Sequence, residues 1–294
     1  MNKIWFWLKN SRFFSLPMTF LSWLVIFTYS MPGDILNGIL ALFGIAFAHL
    51  ATNLFDDYVD YKNLPENCQK SKCLYIKEGK ATINDVLKVV AIYLAIASVI
   101  GFVLFLRCGF PVILLALIGG AIALSYSKLS QVGLSEVAVG TAFGPLFFEG
   151  VYFVMKGNFS LKVLMLSLAV VMFTIGLMYV HTVLDYEGDI NSHKKTLVCR
   201  LGSKQKAING VYVVYGLGFL FNLIFMIATK NYYLLSAFAL IPLIVNLHNS
   251  LNSFESGGEM KEFYFRLLKA RNLMVYYSLI VVLCLLINKF SLSA

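Results

Sequence analysis

The chain has 294 residues, of which 59% are hydrophobic and 13% are charged, and its formal net charge is +9. Soluble proteins carry about 25% charged residues, so this chain has too little charge to cover the surface of a water-soluble globule. The composition excludes a disordered chain and a disulfide-stapled secreted module. It indicates a protein that crosses the membrane several times.

Nine apolar stretches are long enough to cross a bilayer, which takes about 20 apolar residues per helix. In chain order they are 13–31, 35–53, 85–106, 110–126, 136–155, 161–184, 206–228, 232–251 and 271–289. They lack the alternating pattern of about ten residues that a membrane barrel requires. The sequence therefore predicts an all-α membrane bundle of nine transmembrane helices, folded as a single domain over residues 1–294.

The positive charges predict the orientation of this bundle. If the N-terminus is inside, the segments on the same side hold most of the 24 lysines and arginines. The positive-inside rule then places the N-terminus in the cytoplasm. We expect a multi-pass protein of the cell's inner or plasma membrane, with the lipid bilayer as its surroundings. No soluble domain is predicted that could hold nucleic acid, and no obligatory protein partner is expected.

Five of the seven aspartates fall in two short clusters. The first contains Asp56, Asp57 and Asp60, and the second contains Asp185 and Asp189. Each cluster begins at the cytoplasmic end of an even-numbered span, the second and the sixth, in the predicted loops 54–84 and 185–205. Their equivalent positions predict two four-helix halves with the ninth helix left over.

The clustered acids indicate a metal site. Carboxylates brought together in a low dielectric repel each other unless cations lie between them. Mg²⁺ takes oxygen ligands and commonly bridges carboxylates to the phosphates of a substrate. Lys195 and Arg200 follow the second cluster, and such cations neutralise phosphate oxygens that a metal leaves free. The pattern predicts a Mg²⁺–diphosphate site, whereas the loop pattern of an EF-hand calcium site is absent.

At these residues the chain resembles the UbiA superfamily of intramembrane prenyltransferases. The first signature lies at 53–60 (Asn-Leu-Phe-Asp-Asp-Tyr-Val-Asp), and the second lies at 181–189 (His-Thr-Val-Leu-Asp-Tyr-Glu-Gly-Asp). The segment 194–202 and the segment 133–136 (Gly-Leu-Ser-Glu) are similar to the branch that prenylates 1,4-dihydroxy-2-naphthoate in menaquinone biosynthesis. The resemblance extends over essentially the whole chain, including nine helices.

The resemblance implies Mg²⁺-dependent transfer of a polyprenyl group from its diphosphate to an aromatic acceptor, with 1,4-dihydroxy-2-naphthoate as the expected acceptor. The implied metal ligands are Asn53, Asp56, Asp57, Asp60, Asp185 and Asp189. The implied diphosphate-binding residues are Asn53, Lys128, Lys195 and Arg200. The implied catalytic residues are Asp57, Asp185 and Tyr126. The loops 61–84 and 190–205 are expected to exclude water from the reaction.

Two departures from the family pattern leave alternatives open. Leu54 stands where the family usually has Asp, so the acidic pair is either Asp57 in register with Asn53 or Asp56 with Asp60. His181 stands where the second signature usually has Asn. Other acceptors of the family are 4-hydroxybenzoate, haem, chlorophyll and glycerol-lipid precursors. From another class, a secondary transporter would have repeated halves, but it would place ionisable groups near the midplane.

A few further residues have chemistry of their own. Glu149 lies in the fifth span, where a charge is costly, so it is a candidate site residue. His49 and His248 lie within spans and are predicted to be hydrogen-bonded packing residues. Cys68 and Cys73 could bind zinc, but no second Cys/His pair accompanies them at the required spacing. The role of their loop stays open.

Overall fold

The computed structural model describes residues 3–63, 73–191, 195–254 and 260–293. Over these ranges the chain forms helices and contains no strand, which confirms the all-α prediction. Cys68 and parts of the two predicted lid loops lie outside the described residues.

Fourteen α-helices make up the described chain. They are α1 (Lys3–Asn10), α2 (Leu16–Ser30), α3 (Ile35–Asn63), α4 (Leu74–Lys77), α5 (Ile83–Cys108), α6 (Pro111–Gln131), α7 (Ser135–Thr141), α8 (Phe147–Lys156), α9 (Leu161–Leu184), α10 (Tyr186–Asn191), α11 (Leu197–Arg200), α12 (Lys204–Thr229), α13 (Ile241–Asn252) and α14 (Met260–Ser293). Short 3₁₀ segments, Phe13–Ser15 and Tyr232–Leu240, precede α2 and α13. A π-helical turn, Ala142–Leu146, joins α7 to α8.

Eight helices of the described chain are long and apolar enough to cross a membrane. Each overlaps one of the predicted spans. The remaining predicted span, the fourth, corresponds to a shorter apolar helix, Pro111–Tyr126. The protein is therefore a multi-pass integral membrane protein, and the count of nine spans stays a prediction.

Two helices extend beyond the predicted spans. The α3 helix continues to Asn63, so the acidic residues expected in the loop 54–84 lie on its last turns. Leu54 is buried there and Phe55 is partly buried against the same apolar cluster, and no Gly or Pro interrupts the segment. The α14 helix begins at Met260, before the predicted 271, and its charged first turns include an Arg266–Glu262 pair one turn apart.

The fifth span is interrupted in its middle. Gly144 has non-helical dihedral angles (φ −98°, ψ −109°), and Pro145 lacks the backbone N–H that a regular helix uses. A Cβ at Gly144 would lie 3.0 Å from the Val171 side chain on α9. The glycine thus permits a close approach of the π-helical turn to α9.

The chain divides into two compact units. The first comprises 1–20, 32–128 and 153–157, and the second comprises 21–31, 129–152 and 158–294. Most of α2 belongs to the second unit, so this division differs from the two consecutive four-helix halves expected from the sequence. A single domain over the whole chain stays a prediction.

Each unit has its own apolar core. In the first unit, Trp7, Leu54 and Tyr75 belong to one cluster of buried side chains. In the second unit, the rings of Phe173 and Tyr277 stack with centroids 3.7 Å apart. The first core packs against the end of α3, which carries the first acidic cluster.

Candidate active site

The first acidic cluster lies on the last turns of α3 in the first unit. Asn53, Asp56, Asp57 and Asp60 are spaced by three, four and seven residues, which places them on one helix face. All three aspartates are buried, and Asp57 is only 2% exposed. Buried carboxylates are costly unless charged or hydrogen-bonding partners compensate them, so their partners define the site.

Arg12 is the cationic partner of this cluster. Its guanidinium donates to Oδ1 of Asp57 and lies 3.6 Å from Oδ2 of Asp56. Burial by itself would lower the pKa of Arg12, but the charges of Asp57 and Asp56 outweigh it, and the pKa is raised. Arg12 therefore stays charged and neutralises part of the acidic cluster.

A second segment reaches Asp57 from the other side. The Tyr75 hydroxyl, on α4, donates to Oδ2 of Asp57 at 3.3 Å, and the Cys73 thiol donates to the backbone carbonyl of Asp57 at 3.3 Å. Burial, followed by the charge of Asp57, raises the pKa of Tyr75 above its ordinary value. The hydroxyl consequently remains protonated and acts as a donor. Cys73 is thus a hydrogen-bonding residue of this site.

Asn53 is held by the segment that precedes α2. Its Nδ2 donates to the backbone carbonyl of Ser11 at 3.0 Å and to Oγ of Ser15 at 3.3 Å. Ser15 also pairs with His49 at 3.2 Å, and the other ring nitrogen of His49 pairs with Thr19 at 2.7 Å. This confirms His49 as a hydrogen-bonded packing residue. Because Nδ2 of Asn53 makes both hydrogen bonds, the orientation of the amide group is fixed. The amide oxygen is the atom of Asn53 that can bind a metal ion.

The predicted residues Tyr126 and Lys128 lie near the end of α6, also in the first unit. Lys128 is exposed and Tyr126 is partly buried. Tyr126 contributes to the electrostatic environment of Arg12.

The second acidic cluster lies where α9 ends, in the second unit. Asp185 is the C-terminal cap of α9, and its Oδ2 lies 3.4 Å from Nδ1 of His181. The backbone N–H of Asp189 donates to the carbonyl of Asp185 at 2.9 Å, so α10 continues the helical course after a break. Asp189 is buried, whereas Asp185 is partly exposed.

Lys195 precedes the short helix α11 in the same unit, and Arg200 is the last residue of this helix. Both side chains are exposed. The guanidinium of Arg200 donates to the backbone carbonyl of Val132. The Thr196 hydroxyl caps α11 by accepting from the Cys199 N–H at 3.3 Å. The α11 segment is thus held at its start by a cap and at its end by Arg200.

The candidate residue Glu149 contacts the start of α9. Its Oε2 accepts a hydrogen bond from the backbone N–H of Ser160 at 3.1 Å. Ser160 is the N-cap residue directly before α9, where backbone N–H groups lack helical partners. Glu149 therefore caps α9. The prediction for His248 is confirmed, since its ring pairs with Asn209 and Asn252.

The oxygen-rich side chains of α3 suit Mg²⁺ in their chemistry, because three carboxylates and an amide oxygen are ligands of the kind that Mg²⁺ prefers. Within the described ranges, however, no group of three His, Cys, Asp or Glu side chains is arranged to hold a metal ion. Arg12 and Tyr75 hold Asp57 instead. The sequence analysis missed both residues, although Arg12 is the basic residue directly before the first span.

Comparisons with known proteins identify the family. The chain matches the UbiA prenyltransferase family over residues 15–270. No curated protein matches the sequence.

Solved structures share the fold. A structure described as a digeranylgeranylglyceryl phosphate synthase is 17% identical, with a TM-score of 0.66, covering 97% of this chain and 99% of that chain. The apo structure of a UbiA homologue from Aeropyrum pernix K1 is 16% identical, with a TM-score of 0.69, covering 94% and 98%. A UbiA homologue from Archaeoglobus fulgidus bound to GPP and Mg²⁺ is 12% identical, with a TM-score of 0.61, covering 94% and 99%. Since the family match covers most of the chain and the helical fold agrees, this membrane protein belongs to the UbiA prenyltransferase family and is a prenyltransferase.

Proposed function

We propose that the protein transfers a polyprenyl group from its diphosphate to an aromatic acceptor and that the reaction depends on Mg²⁺. The observation that carries this proposal is the set of buried carboxylates on one face of α3, which lies within the family match. The homologue from Archaeoglobus fulgidus is bound to GPP and Mg²⁺, which supports the same ligand class here.

In this proposal the metal ligands come from both acidic clusters: Asn53, Asp56 or Asp57, Asp60, Asp185 and Asp189. Mg²⁺, when bound, supplies positive charge that stabilises the departing diphosphate. The carboxylates contribute oxygen ligands, and the orientation of the Asn53 amide presents its oxygen as a further ligand. The clusters lie at helix ends, where charge is less costly than in mid-membrane.

The basic residues complete the binding of the diphosphate. Lys128, Lys195 and Arg200 are exposed side chains that can share the negative charge of the leaving group. As the allylic C–O bond breaks, the electron pair stays with the diphosphate and the prenyl group becomes a delocalised cation. The electron-rich ring of the acceptor then attacks this cation and forms the new C–C bond, and the attacked ring carbon loses its proton to the released diphosphate. Exclusion of water prevents quenching of the cation. Tyr126 is the proposed contact to the diphosphate or acceptor.

The proposed acceptor is 1,4-dihydroxy-2-naphthoate. This choice is supported by the segments 133–136 and 194–202, which are similar to the naphthoate-prenylating branch. We further propose nine spans in a single domain, a cytoplasmic N-terminus, a location in the inner or plasma membrane and activity without an obligatory protein partner. The distribution of Lys and Arg supports the orientation.

The test is to purify the full chain in lipid nanodiscs and to titrate Mg²⁺ with allylic diphosphates. The variants are Asp57→Asn and Asp185→Asn, with Glu187→Gln as the matched control because Glu187 is an exposed acid on α10 beside Asp185. We expect the rate of prenyl transfer to fall by at least about 100-fold in the two Asn variants, because removal of a group that stabilises transition-state charge typically has an effect of this size. The control should stay active.

Mass spectrometry of the product, with dihydroxynaphthoate and hydroxybenzoate supplied in parallel, identifies the acceptor. Full activity in both Asn variants would remove the metal-site assignment. Uptake of substrate into proteoliposomes without chemical change would favour a transporter, and a prenylated glycerol lipid would move the acceptor to another branch of the family.

A further inference from the structure

The segment before α2 contacts the first acidic cluster at several points. Besides the pairs of Arg12 with Asp57 and Asp56, the carbonyl of Ser11 and the hydroxyl of Ser15 accept from Asn53. Every one of these contacts falls within the first compact unit. Three of the residues proposed to bind Mg²⁺, Asn53, Asp56 and Asp57, therefore already have partners from residues 11–15.

Both carboxylate oxygens of Asp57 are engaged. Oδ1 accepts from the Arg12 guanidinium, and Oδ2 accepts from the Tyr75 hydroxyl at 3.3 Å. A guanidinium and a divalent cation repel each other on one carboxylate oxygen. Mg²⁺ also requires a ligand oxygen at about 2.0–2.1 Å in near-octahedral geometry. Arg12 and a metal ion are therefore competitors for Asp57, whereas a neutral hydroxyl is compatible with either.

The backbone of Arg12 forms a defined joint. Arg12 has φ 57° and ψ 44°, the left-handed region that is unfavourable for residues other than glycine. Its N–H donates to the Lys9 carbonyl at 3.1 Å, and its carbonyl accepts from the N–H and hydroxyl of Ser15. Arg12 lies between α1 and α2, so its backbone conformation sets the direction of α1. A change in the contacts of the Arg12 side chain is therefore expected to affect α1.

The α1 helix also contacts the residue that holds the other oxygen. The rings of Phe6 and Trp7 meet the ring of Tyr75 edge-on, with centroids 6.0 and 6.3 Å apart. Trp7 is buried in the same apolar cluster as Tyr75. Tyr75 also shares this cluster with Leu54 on α3 and Val86 on α5, so its hydrogen bond to Asp57 is backed by packing outside residues 3–15.

We propose that Arg12 is an exchangeable counter-cation of the first acidic cluster: it neutralises Asp57 and Asp56 while the metal is absent and leaves Asp57 when Mg²⁺ and diphosphate bind, while Tyr75 remains as a positioning residue on the second oxygen. The inference rests on the proposed function. With Arg12 in the metal-free state and Mg²⁺ in the bound state, a cation balances the negative charge of the buried carboxylates in both. The exchange also links binding of Mg²⁺ and diphosphate to the α1 segment.

The first experiment measures binding of Mg²⁺ alone, by calorimetry, to the full chain in nanodiscs. The variant Arg12→Gln removes the competing guanidinium, so we expect its Kd for Mg²⁺ to fall by roughly tenfold. Loss of a close charge pair typically changes a binding affinity by at least this factor. Lys9→Gln is the matched control, because it removes one positive charge from exposed α1 surface three residues away, and screening limits its effect to about twofold.

The second experiment follows hydrogen exchange of residues 3–15 by mass spectrometry. The probe is Mg²⁺ with geranyl S-thiolodiphosphate, an unreactive allylic diphosphate. We expect the probe to increase exchange in this segment in the wild type and in Lys9→Gln. In Arg12→Gln, exchange should be high before the probe is added. Arg12→Lys serves if Arg12→Gln does not fold, with a smaller gain in Mg²⁺ affinity because the amine lacks the guanidinium fork.

The outcomes separate this inference from the proposed function. If Asp57→Asn binds Mg²⁺ as the wild type does, the proposed metal site itself fails. If Asp57→Asn loses Mg²⁺ but Arg12→Gln binds it no more tightly than the wild type, only the exchange is wrong, and Arg12 has a structural role. Unchanged exchange of residues 3–15 upon addition of the probe would overturn the coupling to α1.

Discussion

Gly133 lies so close to the backbone of Lys195 that a Cβ at Gly133 would stand 2.2 Å from the Lys195 carbonyl oxygen. Gly133 has φ +74°, which glycine adopts readily and other residues do not. The neighbouring Val132 carbonyl accepts from Arg200. The turn at 132–133 thus contacts the backbone before α11 and the side chain that ends it.

Replacing Gly133 by Ala should misplace Lys195 and Arg200. We expect the KM for the allylic diphosphate to rise by about tenfold, because small displacements of charged groups weaken binding strongly. Gly202→Ala is the control, because Gly202 has φ +79° but no atom of the described residues lies within 4 Å of a Cβ built at this position. Steady-state kinetics that show equal KM changes in both variants would mean that backbone strain alone is responsible.

Glu149 should matter for stability and not for chemistry. Glu149→Gln keeps an oxygen that accepts from Ser160, so the thermal midpoint and the activity should stay near those of the wild type. Glu149→Leu removes the cap of α9 and should lower the free energy of unfolding by about 0.5–2 kcal/mol. Activity per folded molecule should be preserved in both variants. A selective loss of turnover in Glu149→Gln would return Glu149 to the list of site residues.

Two buried tyrosines of the second unit offer a matched comparison. The Tyr277 hydroxyl donates to Oδ1 of Asn222 at 3.0 Å, and Nδ2 of Asn222 donates to the Leu234 carbonyl at 3.2 Å. Among the described residues, the Tyr215 hydroxyl has no hydrogen-bond partner. Tyr277→Phe should therefore lower the free energy of unfolding by about 0.5–2 kcal/mol, while Tyr215→Phe should leave it equal or higher. Denaturant titration in micelles measures both, and the reverse order would contradict the prediction.

Asp34 should make stability depend on pH in the acid range. The backbone N–H of Asn37 donates to Oδ1 of Asp34 at 2.9 Å, and together with Arg107 it holds the pKa of Asp34 below its ordinary value. A lowered pKa stabilises the folded protein above the ordinary value of about 4, and this contribution disappears as the pH falls through the folded-state pKa. Asp34→Asn should be less stable than the wild type at pH 7, and the two should become equal only once the pH has fallen below the folded-state pKa of Asp34. Thermal midpoints measured across this range test the convergence.

Eight of the predicted spans, the multi-pass membrane character and the presence of two acidic clusters could be predicted from the sequence. Hydropathy is a local property, and about 20 consecutive apolar residues suffice to predict a helix across the bilayer. The span 161–184 coincides with α9, whereas the boundary of α3 was wrong. Its acidic last turns resemble a polar loop in composition, but they form helix because Leu54 and Phe55 pack on the apolar cluster.

The partners of the acidic side chains were decided by the tertiary structure alone. Arg12 and Asp57 are 45 residues apart, and Tyr75 reaches Asp57 from a separate short helix. Glu149 likewise caps α9 by accepting a hydrogen bond from the Ser160 N–H, and the sequence pattern does not predict this contact. Residue types indicate which groups need a counter-charge, since a buried carboxylate is costly without one. Which group supplies that charge depends on the packing of distant segments, and local patterns do not encode that packing.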